Sequence, residues 1–461
     1  MTDDICVVGT GVMGASIARN LAHHGSKVIG YDISWERTQK LLELKEENIT
    51  GYKTLEEVVK NLKTPRVFLV MVNAEYVDDV IKSLKPLLEK NDIIIDGGNS
   101  HWPDTERRQK EIADSGIHFV GMGISGGQEG ALNGPSMMFG GAPEDWERCK
   151  PILEPIAAKS ADGQPCVDFM GKGGSGHFVK MVHNAIEYSD MQLIAETYFL
   201  LKNSLNKSND EIADIFGEWN KGVLKSYLVE ITEKVLRKKE GDVSLVDLIV
   251  DAAEQKGTGK WTSQDSYDIP ACTPAFGEAV YARVLSSLKD ERVEAEKVIN
   301  HHSIENSEIK ITIEDLEKAL YASKIISYAQ GLCMIQKFSK KNGYDIDISK
   351  CAKVWRGGCI IRAEFLNDIS KYYTKETKNL LLIPFFKEAV EQRLESLRNI
   401  VAYSSLQALP VPLYSSCLSY LDSYTRAKLP ANLIQGLRDF FGAHTYERID
   451  KCGHFHTEWT A

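Results

Sequence analysis

The sequence predicts an α/β domain with a doubly wound, mostly parallel sheet, followed by a large all-α domain and a short tail. Up to residue 176, short apolar runs alternate with amphipathic segments, which is typical of parallel strands joined by helices on both faces of a sheet. From residue 177 to about 430 the periodicity is almost entirely helical, and one of the helices that it predicts lies at 245–254. Because 461 residues are many for a single core, we expect domains at 1–176 and 177–430 and a tail at 431–461.

The composition limits the kinds of binding partner and the cellular compartment that we expect for this protein. The net charge of −10 argues against nucleic acid or an anionic membrane as the main partner. The nine cysteines include no C-x-x-C pair, which suits a reducing compartment. The sequence shows no signal-peptide pattern and no run of 18 apolar residues. We therefore expect a cytoplasmic protein.

The first elements carry a dinucleotide-binding pattern. A buried strand at Ile5–Val8 leads into the loop Gly9-Thr10-Gly11-Val12-Met13-Gly14, which opens a helix that runs to Leu21. A second strand, Lys27–Tyr31, ends in Asp32. Glycines at this spacing permit the tight turn and the close approach of a pyrophosphate, and the acid is placed to bind a ribose hydroxyl. The pattern predicts a Rossmann domain; the alternative is a glycine turn that only packs a helix on a sheet.

Three further loops follow strands of the same predicted sheet. The alternation continues through a helix at 34–45, a strand at 67–72, a helix at 76–88 and a strand at 93–96. Ligands of such sheets bind at the carboxyl ends of the strands. The segments at those ends are Val72-Asn73-Ala74, Gly97-Gly98-Asn99-Ser100 and Gly123-Ile124-Ser125-Gly126-Gly127. We expect them to meet at one cofactor and substrate cleft, although a glycine pair after a strand is often only a turn.

The helix after the glycine run at 171–176 carries a reactive face. In the predicted helix at 177–198, five polar residues share one side at i, i+3, i+4, i+7 and i+8: Lys180, His183, Asn184, Glu187 and Tyr188. A lysine and a glutamate two turns apart could act as base and acid on opposite ends of one small substrate. The competing interpretation is an ordinary solvated helix face.

Two later segments offer groups for an anion. The loop Gln255-Lys256-Gly257-Thr258-Gly259-Lys260-Trp261-Thr262 resembles a phosphate cradle but lacks Walker A spacing, and Arg283 could reach the same anion. Isolated cations of this kind are most often solvated. Near the end of the chain, His454 and His456 lie beside Cys452 without a second ligand pair, so we expect no metal site.

Together these segments resemble the 6-phosphogluconate dehydrogenase family along essentially the whole chain. The matching segments, in family order, are Val12-Met13-Gly14, Asp96-Gly97-Gly98-Asn99, Ser125-Gly126-Gly127, Lys180-Met181-Val182-His183-Asn184 with Glu187-Tyr188, Lys256-Gly257-Thr258-Gly259-Lys260-Trp261, Ala282-Arg283 and Arg438-Asp439-Phe440-Phe441-Gly442-Ala443-His444-Thr445-Tyr446.

The resemblance implies an activity and a shared site. The activity is oxidative decarboxylation of 6-phosphogluconate to ribulose 5-phosphate in the pentose phosphate pathway, without a metal. It implies a homodimer in which Arg438 and His444 reach the site of the partner subunit. The remaining substrate-binding residues would be Asn99, Ser125, Gly126, Gly127, His183, Asn184, Tyr188, Lys256, Thr258 and Arg283.

The resemblance also assigns the chemistry. Lys180 would be the general base that takes the C3 hydroxyl proton, which requires a lowered pKa. Glu187, protonated, would be the general acid that delivers a proton to C1 after carbon dioxide leaves. The cations around the 5-phosphate would position the substrate.

Cofactor choice departs from the family pattern. We expect NAD(P)+ to contact Gly9, Thr10, Gly11, Val12, Met13, Gly14, Asp32, Ile33, Ser34, Val72, Asn73, Ala74 and Asn99. NADP is the family default, and members that use it commonly carry Asn-Arg-Thr where this chain has Asp32-Ile33-Ser34. A carboxylate at that position favours NAD, because it accepts from a 2′-hydroxyl and repels a 2′-phosphate. Asn73 replaces a common lysine, whereas Arg37 could still reach a phosphate.

Two other functions compete with this one. The first is a non-decarboxylating 3-hydroxyacid dehydrogenase or imine reductase of the same superfamily. The second is a non-catalytic dinucleotide sensor. The 256–261 loop and the Arg438/His444 segment argue against the first, and the joint presence of Lys180 and Glu187 argues against the second.

Overall fold

The N-terminal part is a sheet with helices on both faces. The computed structural model describes residues 3–255, 257–300, 303–304 and 308–460. Eight strands lie in the order β3-β2-β1-β4-β5-β6-β7-β8. Their bounds are β1 Ile5–Val8, β2 Val28–Tyr31, β3 Ile49–Gly51, β4 Val67–Val70, β5 Ile93–Asp96, β6 His118–Ser125, β7 Ser136–Gly140 and β8 Val167–Gly171. Within this eight-stranded sheet, β6 and β7 form the one antiparallel pair, and all other neighbouring strands are parallel. The predicted mostly parallel α/β class is therefore confirmed.

The helices of this part pack against both faces of the sheet. They are α1 Val12–His23, α2 Trp35–Glu43, α3 Leu55–Asn61, α4 Val77–Leu84, α5 Trp102–Ala113, α6 Gly127–Asn133 and α7 Pro143–Ile156, with short 3₁₀ turns at Ala74–Tyr76 and Lys85–Leu87. The residues of β1, β4 and β5 are buried throughout, and two apolar clusters lie on opposite faces. Burial on both faces explains why these strands are continuous apolar runs in the sequence.

The following part of the chain is mainly helical. Its helices are α8 Ser175–Asn203, α9 Asn209–Trp219, α10 Tyr227–Arg237, α11 Thr258–Asp268, α12 Pro274–Ser287, α13 Lys289–Val298, α14 Ile313–Asn342, α15 Ile348–Val354, α16 Leu366–Tyr372, α17 Pro384–Glu391, α18 Leu394–Leu406 and α19 Pro412–Tyr424. A small hairpin joins β9 Lys239–Glu240 to β10 Val243–Ser244, and 3₁₀ turns lie at Leu245–Leu248 and Leu380–Leu382. The tail forms α20 Ala431–Gly442 and a hairpin of β11 Tyr446–Glu447 and β12 His454–Phe455.

Helix α8 joins the two parts and is the centre of the helical core. It packs along α14, where the rings of Phe178 and Phe338 stack with centroids 3.5 Å apart. Its first turn lies directly on the sheet, because a Cβ on Gly176 would come within 2.3 Å of the Gly121 carbonyl oxygen. The glycine therefore allows a contact between backbones that no larger residue permits. This contact fixes the start of α8 against β6 and β7.

One helix expected from the sequence does not form. A helix at 245–254 is replaced by the 3₁₀ turn Leu245–Leu248 followed by extended backbone at Ile249. The carboxylate of Asp247 is held by Lys202 and by Asn209, whose Nδ2 donates at 2.8 Å. Ile249 and Val250 are exposed, so they lack the apolar contacts that stabilise helices in proteins.

Within the described ranges, no helix combines the length and the apolar composition that crossing a bilayer requires.

Candidate active site

The predicted reactive face of α8 is buried. Lys180 is 6% exposed and His183 is 0% exposed, and Asn184 and Tyr188 are also buried. This burial excludes the solvated helix face that the sequence left open. Gly123 of β6 makes room for Lys180, since a Cβ there would lie 2.2 Å from the Cβ of Lys180. The sheet therefore holds Lys180 against the end of β6.

His183 links the other polar groups of this face. Its Nδ1 lies 3.0 Å from Asn184 Oδ1, 3.4 Å from Lys180 Nζ and 3.9 Å from Glu187 Oε2. An amide oxygen only accepts, so Nδ1 carries the hydrogen and Nε2 accepts from the Ser125 hydroxyl, 3.4 Å away. Burial lowers the pKa of His183 well below its ordinary value, with the Lys180 amine adding to the effect. The imidazole is therefore neutral and serves to orient its neighbours.

Burial shifts the pKa values of the Lys180 amine and the Glu187 carboxyl in opposite directions. It lowers the pKa of the Lys180 amine, although the Glu187 carboxylate opposes the shift. It raises the pKa of the Glu187 carboxyl, although the Lys180 and Arg283 cations oppose that shift. Both shifts favour the uncharged forms, because desolvation penalises charge. An amine ready to accept a proton thus lies two helical turns from a carboxyl ready to donate one.

Loops from other elements reach the same face. Ser125 ends β6 and contacts His183, and Gly126 and Gly127 follow at positive φ of 131° and 61°. Thr258 begins α11, and its hydroxyl oxygen accepts from Asn184 Nδ2 at 3.2 Å. Predicted site residues that are far apart in the sequence are therefore adjacent in the fold, around His183 and Asn184. Lys256, predicted beside Thr258, lies outside the described residues.

Arg283 lies on the outer part of the same face. Its guanidinium stacks on the Tyr188 ring, with the carbon 3.5 Å from the centroid, and Nη1 donates to the Glu254 carbonyl oxygen at 2.9 Å. Nη2 lies 3.7 Å from Met191 Sδ, and because a guanidinium carries five N–H donors, donors remain for an anion.

The glycine loop has the shape of a dinucleotide cradle. Gly9 has φ of +94°, and a Cβ on Gly14 would lie 1.8 Å from the Gly9 carbonyl oxygen, so both positions demand glycine. Around Gly11 nothing lies within 4 Å of an added Cβ, which leaves room for a pyrophosphate. Val12 begins α1, whose free N–H groups face the same space. The residues present fit a nicotinamide dinucleotide.

Asp32 has a structural contact that the sequence did not reveal. The residue is 5% exposed; Oδ2 accepts from the Thr10 N–H and Oδ1 from the Ser34 N–H, both at 2.9 Å. Arg37 is mostly exposed and lies 3.8 Å from Oδ2. Ile33 is fully exposed. Each carboxylate oxygen retains a second acceptor position, so the group can brace the glycine loop and still accept from a ribose hydroxyl.

The loops after β4 and β5, where cofactor contacts were predicted, lie side by side. Val72, Asn73 and Ala74 follow β4, and Asn99 is exposed at the loop that follows β5. Arg108, buried on α5, joins the two loops: it donates to the Ala74 carbonyl oxygen at 3.3 Å and lies 3.4 Å from Asp96 Oδ2. The ends of neighbouring strands are thereby held together.

The tail residues contact their own segment. Arg438 Nη1 donates to Gln435 Oε1 at 3.0 Å, and the His444 ring lies edge-on to Phe441. Asp439 is fully buried between them and accepts from Thr445 N–H, His456 Nδ1, Thr457 N–H and Trp459 Nε1. The contacts that place Arg438 and His444 are therefore local to the tail.

Several residues at the site were missed from the sequence. His177 ties the first turn of α8 to the sheet, with Nδ1 2.6 Å from Thr105 Oγ1 and Nε2 3.1 Å from the Asp96 carbonyl oxygen. Trp355 lies edge-on to His183 at 5.8 Å, and the Gly358 carbonyl oxygen lies against Gly126. The Gly357-Gly358 pair after a short helix was the available signal, but nothing local connects it to α8.

Comparisons with known proteins follow the same division of the chain. The family model for the NAD binding domain of 6-phosphogluconate dehydrogenase matches residues 4–171, and the model for the C-terminal domain of 6-phosphogluconate dehydrogenase matches residues 176–459. A Bacillus subtilis (strain 168) relative, the NADP(+)-dependent, decarboxylating 6-phosphogluconate dehydrogenase, is 50% identical over 465 residues, 99% of this chain and 98% of its own. The decarboxylating enzyme of Escherichia coli (strain K12) is 49% identical over 461 residues, 99% of this chain and 98% of its own.

A solved structure agrees over the whole length. The 6-phosphogluconate dehydrogenase of Plasmodium falciparum is 40% identical and superposes with a TM-score of 0.95, covering 99% of this chain and 100% of that one. It was solved in its apo form, with its cofactor NADP+ and with its substrate 6-phosphogluconate.

Proposed function

The chain belongs to the 6-phosphogluconate dehydrogenase family, and we propose that it oxidatively decarboxylates 6-phosphogluconate to ribulose 5-phosphate with reduction of a nicotinamide dinucleotide. The observation that carries the proposal is the pair of buried Lys180 and partly buried Glu187 on one face of α8. Burial favours the neutral amine and the protonated carboxyl, which are the forms that a base and an acid need before the reaction begins.

The first step removes a proton and a hydride from C3. Neutral Lys180 accepts the proton of the C3 hydroxyl, and Ser125 and Asn184, both in contact with His183, keep that side of the site in position. The oxidised nicotinamide, when bound, accepts the hydride. The product is a 3-keto acid, and Lys180 is left as an ammonium beside the new carbonyl oxygen.

The second and third steps need no further cofactor. In the 3-keto acid, the carboxylate is attached to the carbon next to the ketone. The bond between the carboxylate and that carbon breaks, and carbon dioxide leaves. The electron pair of that bond moves toward the C3 oxygen, where the Lys180 ammonium stabilises the negative charge. Glu187 then protonates C1 of the resulting enediolate, which gives the ketone of ribulose 5-phosphate. One proton has been taken by Lys180 and one given by Glu187, so one proton must return between them before the next turnover.

The substrate is held at both ends in this proposal. The residues that we propose to bind it are Asn99, Ser125, Gly126, Gly127, His183, Asn184, Tyr188, Lys256, Thr258 and Arg283, with Arg438 and His444 from the partner subunit. The stacking of Arg283 on Tyr188 and the bond between Asn184 and Thr258 support this assignment. The cations would bind the phosphate, which takes no part in bond breaking, and their contribution is orientation.

NAD+ is the favoured cofactor in this proposal. The Asp32 carboxylate lies at the end of β2, where the ribose of a dinucleotide binds to such folds, and a 2′-phosphate there would meet a negative charge. The nearest cation, Arg37, is 3.8 Å from that carboxylate and partly offsets its charge. The counter-argument is the NADP+ dependence of the Bacillus relative and the NADP+ complex of the Plasmodium enzyme.

A homodimer would complete the site. Helix α20 exposes a row of large apolar side chains, among them Leu437, Phe440 and Phe441. A mainly apolar surface cavity of about 630 Å³ lies between α12, α18 and α19. Because α12 also carries Arg283, an α20 from a second copy seated near this cavity would place Arg438 and His444 beside that arginine. The exposed apolar surfaces on both elements support such an interface.

The test is a direct assay of both products. Purified chain is mixed with 6-phosphogluconate and either NAD+ or NADP+, and absorbance of the reduced nicotinamide is followed together with released carbon dioxide. Equal amounts of both products are expected, with unphosphorylated gluconate reacting much more slowly. Reduction without carbon dioxide would support a non-decarboxylating dehydrogenase, and dinucleotide binding without turnover would support a sensor.

A further inference from the structure

We propose that Trp102 and Asp265 form a junction between the two domains and act as positioning residues for substrate binding. Trp102 begins α5 in the N-terminal part, and Asp265 lies on α11 in the helical part. The inference deepens the proposed function and rests on it, because the two elements lead to opposite sides of the substrate.

The junction is a compact polar contact in a largely apolar setting. Trp102 Nε1 donates to Asp265 Oδ2 at 2.6 Å, and His101 Nε2 lies 3.4 Å from the same oxygen. The His101 ring stacks on Trp261, with centroids 4.9 Å apart and planes 15° apart. Two side chains of the N-terminal part therefore meet at one carboxylate oxygen of the helical part, and Trp261 covers the His101 ring.

The surroundings restrict how Trp102 can move. Its ring lies edge-on to Phe338 at 4.9 Å and to Phe178 at 6.2 Å. Its backbone carbonyl lies close to Gly174, just before α8. The indole is thus held by α8 and α14, so its N–H points in a defined direction, and Asp265 is the acceptor in that direction. A hydrogen bond to a charged acceptor that is partly removed from water is stronger than one at the surface.

Each half of the junction is close in sequence to a proposed substrate contact. Asn99 lies three residues before Trp102, on the loop after β5. Thr258 lies seven residues before Asp265, two turns away on one face of α11. Thr258 in turn bonds to Asn184 of α8, and Thr262 Oγ1 donates to the Met181 carbonyl oxygen at 3.0 Å.

The consequence is a fixed distance between the two sides of the site. Helix α11 is anchored on α8, and the loop after β5 is anchored on the sheet. The contact of Trp102 with Asp265 joins these anchors directly. Without it, the start of α11 at Thr258 would be free to shift relative to Asn99, and substrate binding would weaken. The glycine loop and Asp32 lie outside these two elements, and Asn99 is the one predicted dinucleotide contact on the anchored loop, so dinucleotide binding would weaken less than substrate binding.

The experiment is a double-mutant cycle in the full-length chain. Trp102→Phe keeps an aromatic ring between Phe178 and Phe338 but removes the donor, and Asp265→Ala removes the acceptor. Each single change is expected to raise KM for 6-phosphogluconate about tenfold, and the double variant no further than either single one. Asp265→Asn retains an oxygen acceptor and is expected to restore most of the loss. The dissociation constant for the reduced dinucleotide is expected to change much less than KM.

A matched control and two contrary outcomes complete the test. Trp219→Phe makes the same change on α9 against Phe216 and is expected to leave KM unchanged. Multiplying effects in the double variant would overturn the proposal, as would lower melting temperatures with KM unaltered.

Amide exchange separates failure of this inference from failure of the proposed function. Trp102→Phe is expected to speed exchange at 258–262, and Asp265→Ala at 99–104, with α9 unchanged. If the unaltered chain does not turn over 6-phosphogluconate, the proposed function fails, while this reciprocal exchange would still support the junction. Unchanged exchange in both segments would overturn the junction whatever the activity.

Discussion

The Lys180 amine and the Glu187 carboxylate flank one imidazole nitrogen, with His183 Nδ1 at 3.4 Å from the first and 3.9 Å from the second. This arrangement places the proposed base and acid on the same helix, which fixes the separation of their backbone positions. It also places a neutral polar group between them, on the shortest line along which a proton could return after each turnover. Rigid placement on α8 is what allows one pair of side chains to serve successive steps.

Removing the base should abolish oxidation. Lys180→Met keeps the length and apolar stem of the side chain but loses the amine, and we expect kcat to fall about 10³-fold. Dinucleotide binding should be unaffected, because the glycine loop lies on another element. Steady-state assays with a dinucleotide titration test this. Unchanged turnover in a folded variant would refute the role of Lys180.

The pH dependence of kcat should be bell-shaped. Activity needs neutral Lys180, so it falls as pH drops through the pKa of that amine, which burial lowers. It also needs protonated Glu187, so it falls as pH rises through the pKa of that carboxyl, which burial raises. Glu187→Gln cannot titrate and should remove the alkaline limb. An alkaline limb that persists in this variant would assign it to another group.

Protonation at C1 should lose its stereochemical control in the Glu187→Gln variant. In deuterium oxide the unaltered chain is expected to place deuterium at one of the two C1 positions of ribulose 5-phosphate, because one fixed acid delivers it. The variant should release the enediol to solvent and label both positions. NMR of the product distinguishes the two results, and Glu196→Gln, a buried carboxyl of the same helix, is the control. Single-sided labelling in the Glu187→Gln variant would exclude Glu187 as the acid.

The sequence predicts the parts of the fold that local pattern determines. Strands β1, β2, β4 and β5 are apolar because both faces of the sheet are covered, and α8 and α14 repeat at helical spacing over many turns. Strand β3 is three residues long and too short to give a periodic signal. The prediction of a helix at 245–254 was wrong, because side chains of α8 and α9 hold Asp247.

For the site as well, the sequence predicts only what local pattern determines. Lys180, His183 and Glu187 share a face by helical spacing alone. The contacts of Thr258 with Asn184 and of Trp355 with His183 join residues more than 70 positions apart, so no local pattern reports them. Asp32 shows both cases: its position at the end of β2 was evident, whereas its two bonds to backbone N–H groups required the folded loop.

Cofactor preference should follow the end of β2. The unaltered chain is expected to use NAD+ more efficiently than NADP+. Replacing Asp32-Ile33-Ser34 by Asn-Arg-Thr removes the negative charge and adds a guanidinium, and should shift the ratio of kcat/KM values toward NADP+ about 10²-fold. Asp32→Asn alone, which supplies no new cation, is the control and should shift it less. A clear preference of the unaltered chain for NADP+ would show that Arg37 outweighs Asp32.

Mixed dimers should recover activity if the tail serves the partner subunit. Lys180→Met chains have an intact tail, and chains with Arg438→Ala and His444→Ala have an intact base, and each alone should be nearly inactive. In a mixed dimer, the intact base of one chain meets the intact tail of the other, so one of the two sites is complete. Random mixing in equal amounts should therefore restore about a quarter of the unaltered activity per chain. Chains are unfolded together, refolded and assayed, with each variant refolded separately as a control. If the tail instead serves its own chain, every site in the mixture lacks either the base or the tail cations, and no activity will return.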